Sequence, residues 1–324
     1  MNKIALVGPF NSQMQASFQK IMPEGFEFFL VPSTDEYDKL QDADYIVFRT
    51  LEIREGTIKK LRRTKFIQRW GAGYDIIDIK AAGEQNIPVA IMSGINSTPV
   101  AEMTILLTLA VLRNMMQLHN GILKGQWPKN EFMQRSYVIN GKRAGIVGMG
   151  NIGMKVAALF GAFGAEVRYF DVIRRTAELE AKMGVRYVSF EELLKTSDIV
   201  SLHVPLENKT KHIMNKETIA LMKPTAVLIN TSRGNVIDEA ELYDALSKNR
   251  LLGAGLDVFE NEPVLKDSPL RSLTNVVMSP HVGGNTVDNS DNMARRAIEN
   301  IVKVSLSQPV SSADLVNAQY LRQG

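Results

Sequence analysis

The 324-residue chain contains no cysteine, which excludes disulfide bonds, thiolate metal sites and a cysteine nucleophile. It also lacks a strong charge of either sign, because 38 Lys and Arg stand against 35 Asp and Glu. The two signs are mixed along the chain, and no long basic stripe indicates a nucleic-acid-binding surface. We therefore expect a cytoplasmic protein that does not bind nucleic acid.

Long hydrophobic runs are missing as well. The longest apolar stretch, residues 105–112, is interrupted by Thr108 and is far shorter than the ~20 residues that a membrane span needs. The apolar run at residues 4–7 stops at Gly8-Pro9 and is too short for the core of a signal peptide. We therefore expect no membrane association. At 45% hydrophobic residues, a chain of this length can bury the cores of about two domains.

Short apolar runs alternate with helix-like segments in two series along the chain. Strands are predicted at residues 4–7, 28–31, 45–48, 66–69 and 89–91, and again at 144–147, 167–170, 199–203, 227–230, 255–259 and 276–278. Helices are predicted at residues 13–20, 55–62, 75–85, 152–163, 176–183, 190–196 and 285–306. This alternation predicts an α/β fold of two doubly wound parallel-sheet domains, with a cleft between them as the ligand site.

A long helix is predicted between the two series, over residues 99–116, with Thr98 as its N-cap and Pro99 at its first position. It is apolar on more than one face, which indicates burial by a neighbouring domain or subunit. Residues 121–141 after it are predicted to be irregular.

A glycine motif, G-x-G-x-x-G, is formed by Gly148, Gly150 and Gly153 between a predicted strand and a predicted helix. In that context the first glycine permits a tight turn, the second lets the backbone approach a pyrophosphate, and the third lets helix and strand pack closely. Asp171 ends the next strand, where a carboxylate can accept hydrogen bonds from the ribose of NAD and would repel the 2′-phosphate of NADP. Because Arg174 and Arg175 follow closely and can offset that repulsion in part, the sequence favours NAD without excluding NADP.

Three polar segments follow later strands and can supply a basic, an acidic and an imidazole group to one site. Oxidation of a secondary alcohol needs a base for the hydroxyl proton, and reduction needs the same group as an acid. We predict His281 as this acid/base, Glu262 as the carboxylate that orients it, and Arg233 as the anchor and electrophile for the substrate. Each residue alone also fits an ordinary turn or loop position. No cluster has metal-ligand spacing, so we predict no metal site.

Several motifs together resemble the family of D-isomer-specific 2-hydroxyacid dehydrogenases. The matching stretches, from about Arg49 to about Gly284, are Gly71-Ala72-Gly73-Tyr74-Asp75, Val100-Ala101-Glu102, Gly145 to Gly153, His203-Val204-Pro205-Leu206, Asn230 to Gly234, Leu256 to Phe259 with Glu262-Pro263, and Ser279-Pro280-His281. The resemblance implies a Rossmann cofactor domain (residues 99–290) inserted in a discontinuous flavodoxin-like substrate domain (residues 1–98 and 291–324). It also implies a homodimer, held through the cofactor domain and the long helix.

The resemblance further assigns residues to ligands. Arg49, Ala72 and Gly73 would bind the substrate together with Arg233, Ala72 and Gly73 doing so through backbone N–H groups. Asp257 would hold the nicotinamide carboxamide. The rest of the cofactor site would be formed by Gly148, Gly150, Asn151, Ile152, Gly153, Asp171, His203, Val204, Pro205, Thr231, Ser232 and Gly283.

The expected activity is hydride transfer between NAD(H) and a small D-2-hydroxy or 2-keto acid. Trp70, next to the Gly71 loop, either packs beneath that loop or narrows the substrate pocket. Two other interpretations stay open: the same scaffold acting on another oxyanion such as phosphite, and an NADH-sensing regulatory protein that binds partners. A structural role without a cofactor would predict no NADH binding.

Overall fold

The computed structural model describes residues 1–322, and the chain divides into two compact units. The first unit comprises Met1–Asn96 and Asn285–Gly324, and the second comprises Ser97–Gly284. Each unit is built on its own parallel sheet with helices, which confirms the predicted fold class. The division of substrate and cofactor binding between the units stays a prediction.

The first unit carries a five-stranded sheet in the order β2-β1-β3-β4-β5, with all pairs parallel. This order is the doubly wound flavodoxin-like arrangement. Its strands are β1 (Asn2–Val7), β2 (Phe26–Val31), β3 (Tyr45–Phe48), β4 (Phe66–Arg69) and β5 (Val89–Ala90). Its helices are α1 (Ser12–Ile21), α2 (Glu55–Ile58), α3 (Ile79–Glu84) and, from the end of the chain, α11 (Val287–Ser305).

The central strands of this unit are continuous apolar runs because helices cover both faces of the sheet. The second half of β1 and all of β3 are buried. The returning helix α11 begins at Thr286, whose side chain accepts the N–H of Asn289. Farther along α11, Asn300 donates to the Gln68 side chain on β4 at 2.8 Å, and both residues are buried. The polar pair is therefore satisfied inside the core.

The last described residues complete the edge of this sheet. Leu315 forms an antiparallel bridge with Ala90 at the outer strand β5. The buried Asn317 side chain accepts the N–H of Val89 at 2.8 Å and donates to the carbonyl of Ile87 at 2.9 Å. The segment thereby satisfies backbone groups that an edge strand would otherwise leave open.

The second unit carries a seven-stranded parallel sheet in the order β12-β11-β10-β9-β6-β7-β8. Renumbered from its own first strand, this is the Rossmann order with one additional strand. Its strands are β6 (Arg143–Val147), β7 (Glu166–Phe170), β8 (Val185–Tyr187), β9 (Ile199–Leu202), β10 (Val227–Asn230), β11 (Gly253–Leu256) and β12 (Val276–Met278). Its helices are α4 (Ser97–Leu112), α5 (Met115–Leu123), α6 (Asn151–Ala162), α7 (Ala177–Met183), α8 (Phe190–Thr196), α9 (Lys216–Ala220) and α10 (Glu239–Ser247).

The prediction of one long helix over residues 99–116 was wrong. The structure has two helices, α4 and α5, bent by 67° with respect to each other at a break that includes Asn114 in the left-handed conformation (φ 51°). Helix α4 also begins at Ser97, so Thr98 lies inside the helix and is not its N-cap. Most of α4 is buried against the sheet of its own unit, where Leu107 lies over Gly255 of β11.

Other predicted bounds differ from the structure by smaller amounts. Helix α2 ends at Ile58 instead of residue 62, and α3 begins at Ile79, with the Asp78 side chain as its cap. The region predicted to be irregular contains the end of α5 and a 3₁₀ turn at Met133–Arg135. Strand β8 and helices α9 and α10 were not predicted.

Within residues 1–322, no single helix is long and apolar enough to cross a membrane. The bent pair α4–α5 satisfies the length and composition criteria only when its two helices are counted together.

Candidate active site

The glycine turn lies between β6 and α6, and each of its glycines has a distinct surrounding. Gly148 has φ +94°, and a Cβ there would stand 2.5 Å from the carbonyl oxygen of His203. A Cβ at Gly153 would stand 2.0 Å from the carbonyl oxygen of Gly148, so helix and turn could not pack as they do. A Cβ at Gly150 would meet no protein atom within 4 Å. The middle of the turn therefore faces open space at the N-terminus of α6, where Asn151 and Ile152 begin the helix and an anion is favoured.

Asp171, at the end of β7, is tied to this turn. One carboxylate oxygen accepts the N–H of Met149 at 2.7 Å, and the other accepts the N–H of Ile173 at 3.0 Å. Arg175 lies 3.6 Å from the same carboxylate. Arg174 is held elsewhere, by two 2.9 Å hydrogen bonds to Glu180. The carboxylate is thus fixed beside the glycine turn, with one of the two nearby arginines engaged away from it.

The loop after β9 closes over the glycine turn. His203 bonds Ser201 Oγ through Nε2 at 2.8 Å, and its backbone N–H donates to Val147. Burial lowers the pKa of His203 to about 3, so its imidazole is neutral at neutral pH. Val204 Cγ1 would lie 3.0 Å from a Cβ at Gly148. Pro205 is exposed, and its carbonyl accepts the Thr210 hydroxyl.

Three predicted catalytic residues follow three neighbouring strands, β10, β11 and β12, at the same edge of the sheet. His281 Nδ1 lies 2.7 Å from Glu262 Oε2, and the other Glu262 oxygen accepts the N–H of Phe259 at 3.1 Å. Burial alone would raise the pKa of Glu262, but the hydrogen bond and charge of His281, the Phe259 N–H and the charge of Arg233 together lower it. Glu262 is therefore ionised at neutral pH and close enough to Arg233 to respond to its charge.

The turn carrying His281 is organised by the buried Asp257. The Asp257 carboxylate accepts the Ser279 hydroxyl at 2.6 Å and the N–H groups of Val282 (2.9 Å) and Gly283 (2.8 Å). His281 has φ +53°, a left-handed conformation that is uncommon for a non-glycine residue, and its N–H donates to the carbonyl of Asp257. Such strain persists where the surrounding contacts over-determine it, which is frequent at functional sites. The predicted contact of Asp257 with nicotinamide stays a prediction.

The turn carrying Arg233 is organised by Asn230, which the sequence reasoning did not assign to the site. Asn230 Oδ1 accepts the N–H and the hydroxyl of Ser232, and Asn230 Nδ2 donates to the carbonyl of Arg233 at 2.9 Å. Thr231, at the start of the same turn, lies 2.9 Å from the Thr104 hydroxyl. An asparagine that ends a buried strand before a turn was the available signal.

A second set of contacts missed by sequence reasoning joins the Arg233 turn to the Glu262 loop. Gly234 lies so close to the Phe259 carbonyl that a Cβ would stand 1.8 Å from the carbonyl carbon. Glu260 donates its N–H to the Glu239 carboxylate at 2.6 Å, and Glu239 donates its N–H to the Glu260 carboxylate at 3.2 Å. These residues are 21 positions apart, and no local pattern in the sequence indicates the pairing.

The predicted substrate residues of the first unit follow β3 and β4. Arg49 donates to the carbonyl of Pro9 at 2.8 Å and to the Asn285 side chain at 3.3 Å, and burial lowers its pKa. Ala72 and Gly73 lie in a loop that begins at Gly71 (φ +128°). Trp70 is 5% exposed and packs edge-on against Phe10, at 5.3 Å between ring centroids. The Trp70 side chain is thus packed in the apolar core of the first unit.

Comparison with known proteins agrees with this architecture. Residues 105–283 match the family model described as "D-isomer specific 2-hydroxyacid dehydrogenase, NAD binding domain". A glyoxylate reductase of Korarchaeum cryptofilum is 37% identical over 82% of this chain and 80% of its own length. The chain belongs to the D-isomer-specific 2-hydroxyacid dehydrogenases. A hydroxypyruvate reductase of Thermotoga maritima is 36% identical over 83% of this chain and 87% of its own length.

Membership in this family makes the chain an NAD-dependent oxidoreductase of 2-hydroxy and 2-keto acids. The open space at Gly150 and the N-terminus of α6 fit the pyrophosphate of a dinucleotide. Among solved structures, an acyclic imino acid reductase in complex with NADPH and D-Arg is 31% identical, with a TM-score of 0.84 over 97% of this chain and all of that one. Within residues 1–322, no group of three His, Asp or Glu side chains is placed to hold a metal ion.

Proposed function

We propose that this dehydrogenase interconverts a small D-2-hydroxy acid and its 2-keto acid, with His281 as the acid/base and Glu262 as the residue that orients it. The observation that carries the proposal is the 2.7 Å contact between His281 Nδ1 and Glu262 Oε2. An ionised carboxylate only accepts hydrogen bonds, so Nδ1 must carry a proton. The proton that moves during the reaction is therefore the one on Nε2.

This arrangement serves both directions of the reaction. In reduction, His281 donates its Nε2 proton to the carbonyl oxygen of the substrate, and in oxidation the neutral imidazole takes the hydroxyl proton. Glu262 keeps the ring in one tautomer and stabilises the imidazolium. Because its second oxygen is held by the Phe259 N–H, the carboxylate cannot turn away without losing that bond.

Arg233 is assigned to bind the substrate carboxylate and to polarise the carbonyl, since a guanidinium presents several donors in a planar fork. The first unit is assigned the remaining substrate contacts, through Arg49 and the N–H groups of Ala72 and Gly73. The nicotinamide supplies or accepts the hydride when bound. The glycine turn, Asp171 and the loops at His203, Thr231 and Gly283 are assigned to hold the dinucleotide.

The test measures NADH oxidation by the wild type with a panel of 2-keto acids, beginning with glyoxylate and hydroxypyruvate. The variant His281→Ala should lose about 10²- to 10⁴-fold in kcat while binding NADH as tightly as the wild type. Glu262→Gln should lose less, because the acid/base remains but its tautomer is no longer fixed. Lys303→Ala, which removes an exposed side chain on α11 of the first unit, is the control.

Retained turnover in His281→Ala would refute the assigned acid/base role. If the wild type binds NADH but reduces no acid, the results would favour the other-oxyanion or regulatory interpretations instead.

We also propose that the chain forms a homodimer through α4, α5 and the loop that follows. This part of the second unit exposes large apolar side chains, namely Leu106, Met115, Met116, Ile122, Leu123, Trp127 and Met133. Trp127 is 80% exposed, and a monomer would leave this apolar surface in water. A second copy of the chain is the proposed occupant. The expected cytoplasmic location stays a prediction.

A further inference from the structure

The loop Gly71–Tyr74 presents a row of backbone N–H groups without protein partners. Within residues 1–322, none of its four amides donates to a protein acceptor. Ala72 and Gly73 are half-buried and Tyr74 is exposed. Gly71 itself is buried. Successive backbone N–H groups without protein acceptors are suited to an anion such as a carboxylate.

The Arg69 side chain lies beneath this loop and holds it at both ends. Its Nη1 donates to the carbonyl of Trp70 at 2.6 Å, and its Nε donates to the carbonyl of Gly73 at 2.7 Å. Nη1 also lies within 3.3 Å of the Phe48 carbonyl, which connects the loop to the end of β3. One guanidinium thus spans three carbonyls, which a lysine ammonium on a flexible stem cannot do with the same geometry.

These bonds decide which way the loop amides point. In a trans peptide the C=O of one residue and the N–H of the next point in opposite directions. Because the Trp70 and Gly73 carbonyls turn toward Arg69, the N–H groups of Gly71 and Tyr74 must turn away from it. The Gly71 carbonyl accepts the N–H of Met92 at 2.9 Å, which turns the Ala72 N–H away from Met92.

We infer that Arg69 is the positioning residue of the substrate-carboxylate loop: it fixes the peptides on either side of the Ala72 and Gly73 amides and places a positive charge behind them. This inference rests on the proposed function, in which Ala72 and Gly73 bind the substrate carboxylate. Arg69 does not touch the substrate in this role. It acts through the loop, so it contributes to substrate affinity and not to NADH binding, whose assigned residues lie in the second unit.

The test compares Arg69→Met, Arg69→Lys and, as a matched control, Arg63→Met. Arg63 lies in the same unit, is 52% exposed and pairs with Asp44, away from the loop. The readouts are KM and kcat for the preferred 2-keto acid, the dissociation constant of NADH, and the binding of oxamate to the NADH-saturated enzyme. Oxamate presents a carboxylate beside a carbonyl and reports binding without turnover.

We expect Arg69→Met to raise KM and weaken oxamate binding by about 10- to 100-fold, with a smaller change in kcat and unchanged NADH affinity. Arg69→Lys should fall between Arg69→Met and the wild type, and it carries the test if Arg69→Met does not fold. Arg63→Met should match the wild type.

An Arg69 variant with wild-type KM and oxamate affinity, or one that loses only kcat, overturns the inference. If the wild type reduces no acid yet binds oxamate in an Arg69-dependent way, the inference stands and the proposed function fails. A wild type that neither reduces an acid nor binds oxamate refutes both.

Discussion

Replacement of Gly234 by alanine tests whether the active site depends on the close contact between the Arg233 turn and the Glu262 loop. A Cβ at position 234 would stand 1.8 Å from the Phe259 carbonyl carbon and 2.4 Å from the Glu260 nitrogen, whereas ordinary contact begins at 3.4 Å. The two backbones must therefore separate by at least 1.2 Å at the closest pair to reach 3.0 Å (3.0 − 1.8), the shortest distance that real Cβ contacts show. Both neighbours are backbone atoms, so no side-chain rotation can relieve the overlap.

The separation has two expected consequences. Overpacking of this kind costs about 1–3 kcal/mol, which corresponds to a fall in Tm of about 2–12 °C for a unit of this size. A displacement of about 1 Å in a catalytic constellation can lower the rate by about 10²-fold, so kcat should fall by at least that factor. The affinity for NADH should fall less than kcat, because Thr231 and Ser232 of the displaced turn are assigned to the cofactor site but the glycine turn follows a different strand.

The assay combines steady-state NADH oxidation, NADH titration and thermal melting. Gly161→Ala is the matched control, since a Cβ there meets no atom within 4 Å and alanine favours the helix by about 0.5–1 kcal/mol over glycine. Gly234→Ala with kcat within twofold of the wild type would show that the two loops are not coupled as described.

Three further predictions concern cofactor choice, acid stability and assembly. Asp171→Asn should lower kcat/KM with NADH and raise it with NADPH, because the 2′-phosphate no longer meets a carboxylate; an unchanged NADH/NADPH ratio would contradict the role of Asp171. The hydrogen bonds from Arg174 and then Tyr169 lower the pKa of Glu180 from 4.5 to about 2. The ionised carboxylate therefore stabilises the fold fully at pH values above its unfolded-state pKa, and this stabilisation is lost as the pH falls toward 2. The Tm difference between the wild type and Glu180→Gln should therefore be constant from neutral pH to about 4.5 and then shrink, and a difference that persists in full at pH 2 would refute this reasoning. Leu123→Asp should shift the molar mass measured by light scattering from dimer toward monomer, whereas Leu265→Asp, at an exposed leucine outside that surface, should not.

The residues that the sequence located best are those with local signals. Sequence patterns could predict the glycine turn, the acid after the next strand and the residues at the ends of β10, β11 and β12. Each of these strand–turn–helix patterns involves only a few consecutive residues. The bend after α4 could not, since neither Gly nor Pro marks it. Asn114 adopts the left-handed conformation there, and its side chain donates to the carbonyl of Arg135 far along the chain.

Some missed features did carry a signal. Helix α10 begins after Asp238, whose side chain accepts the N–H groups of Ala240 and Glu241, an ordinary N-cap that its sequence permits. The reciprocal hydrogen bonds between Glu239 and Glu260 left no signal in the sequence, because the two residues come together only after the sheet has formed. Burial, with the charges of Glu260 and Glu262, raises the pKa of Glu239, which shows how closely these carboxylates are gathered.

The closure of the first sheet by Leu315 and Asn317 has a consequence for biosynthesis. The ribosome makes β1 to β5 first, but the outer strand receives its last hydrogen bonds, and Gln68 its partner Asn300, only after the whole second unit has been translated. The second unit can therefore fold before the C-terminal segment that completes the first unit has been synthesised. During that interval β5 is an uncovered edge, the kind of surface on which a nascent chain pairs wrongly with another.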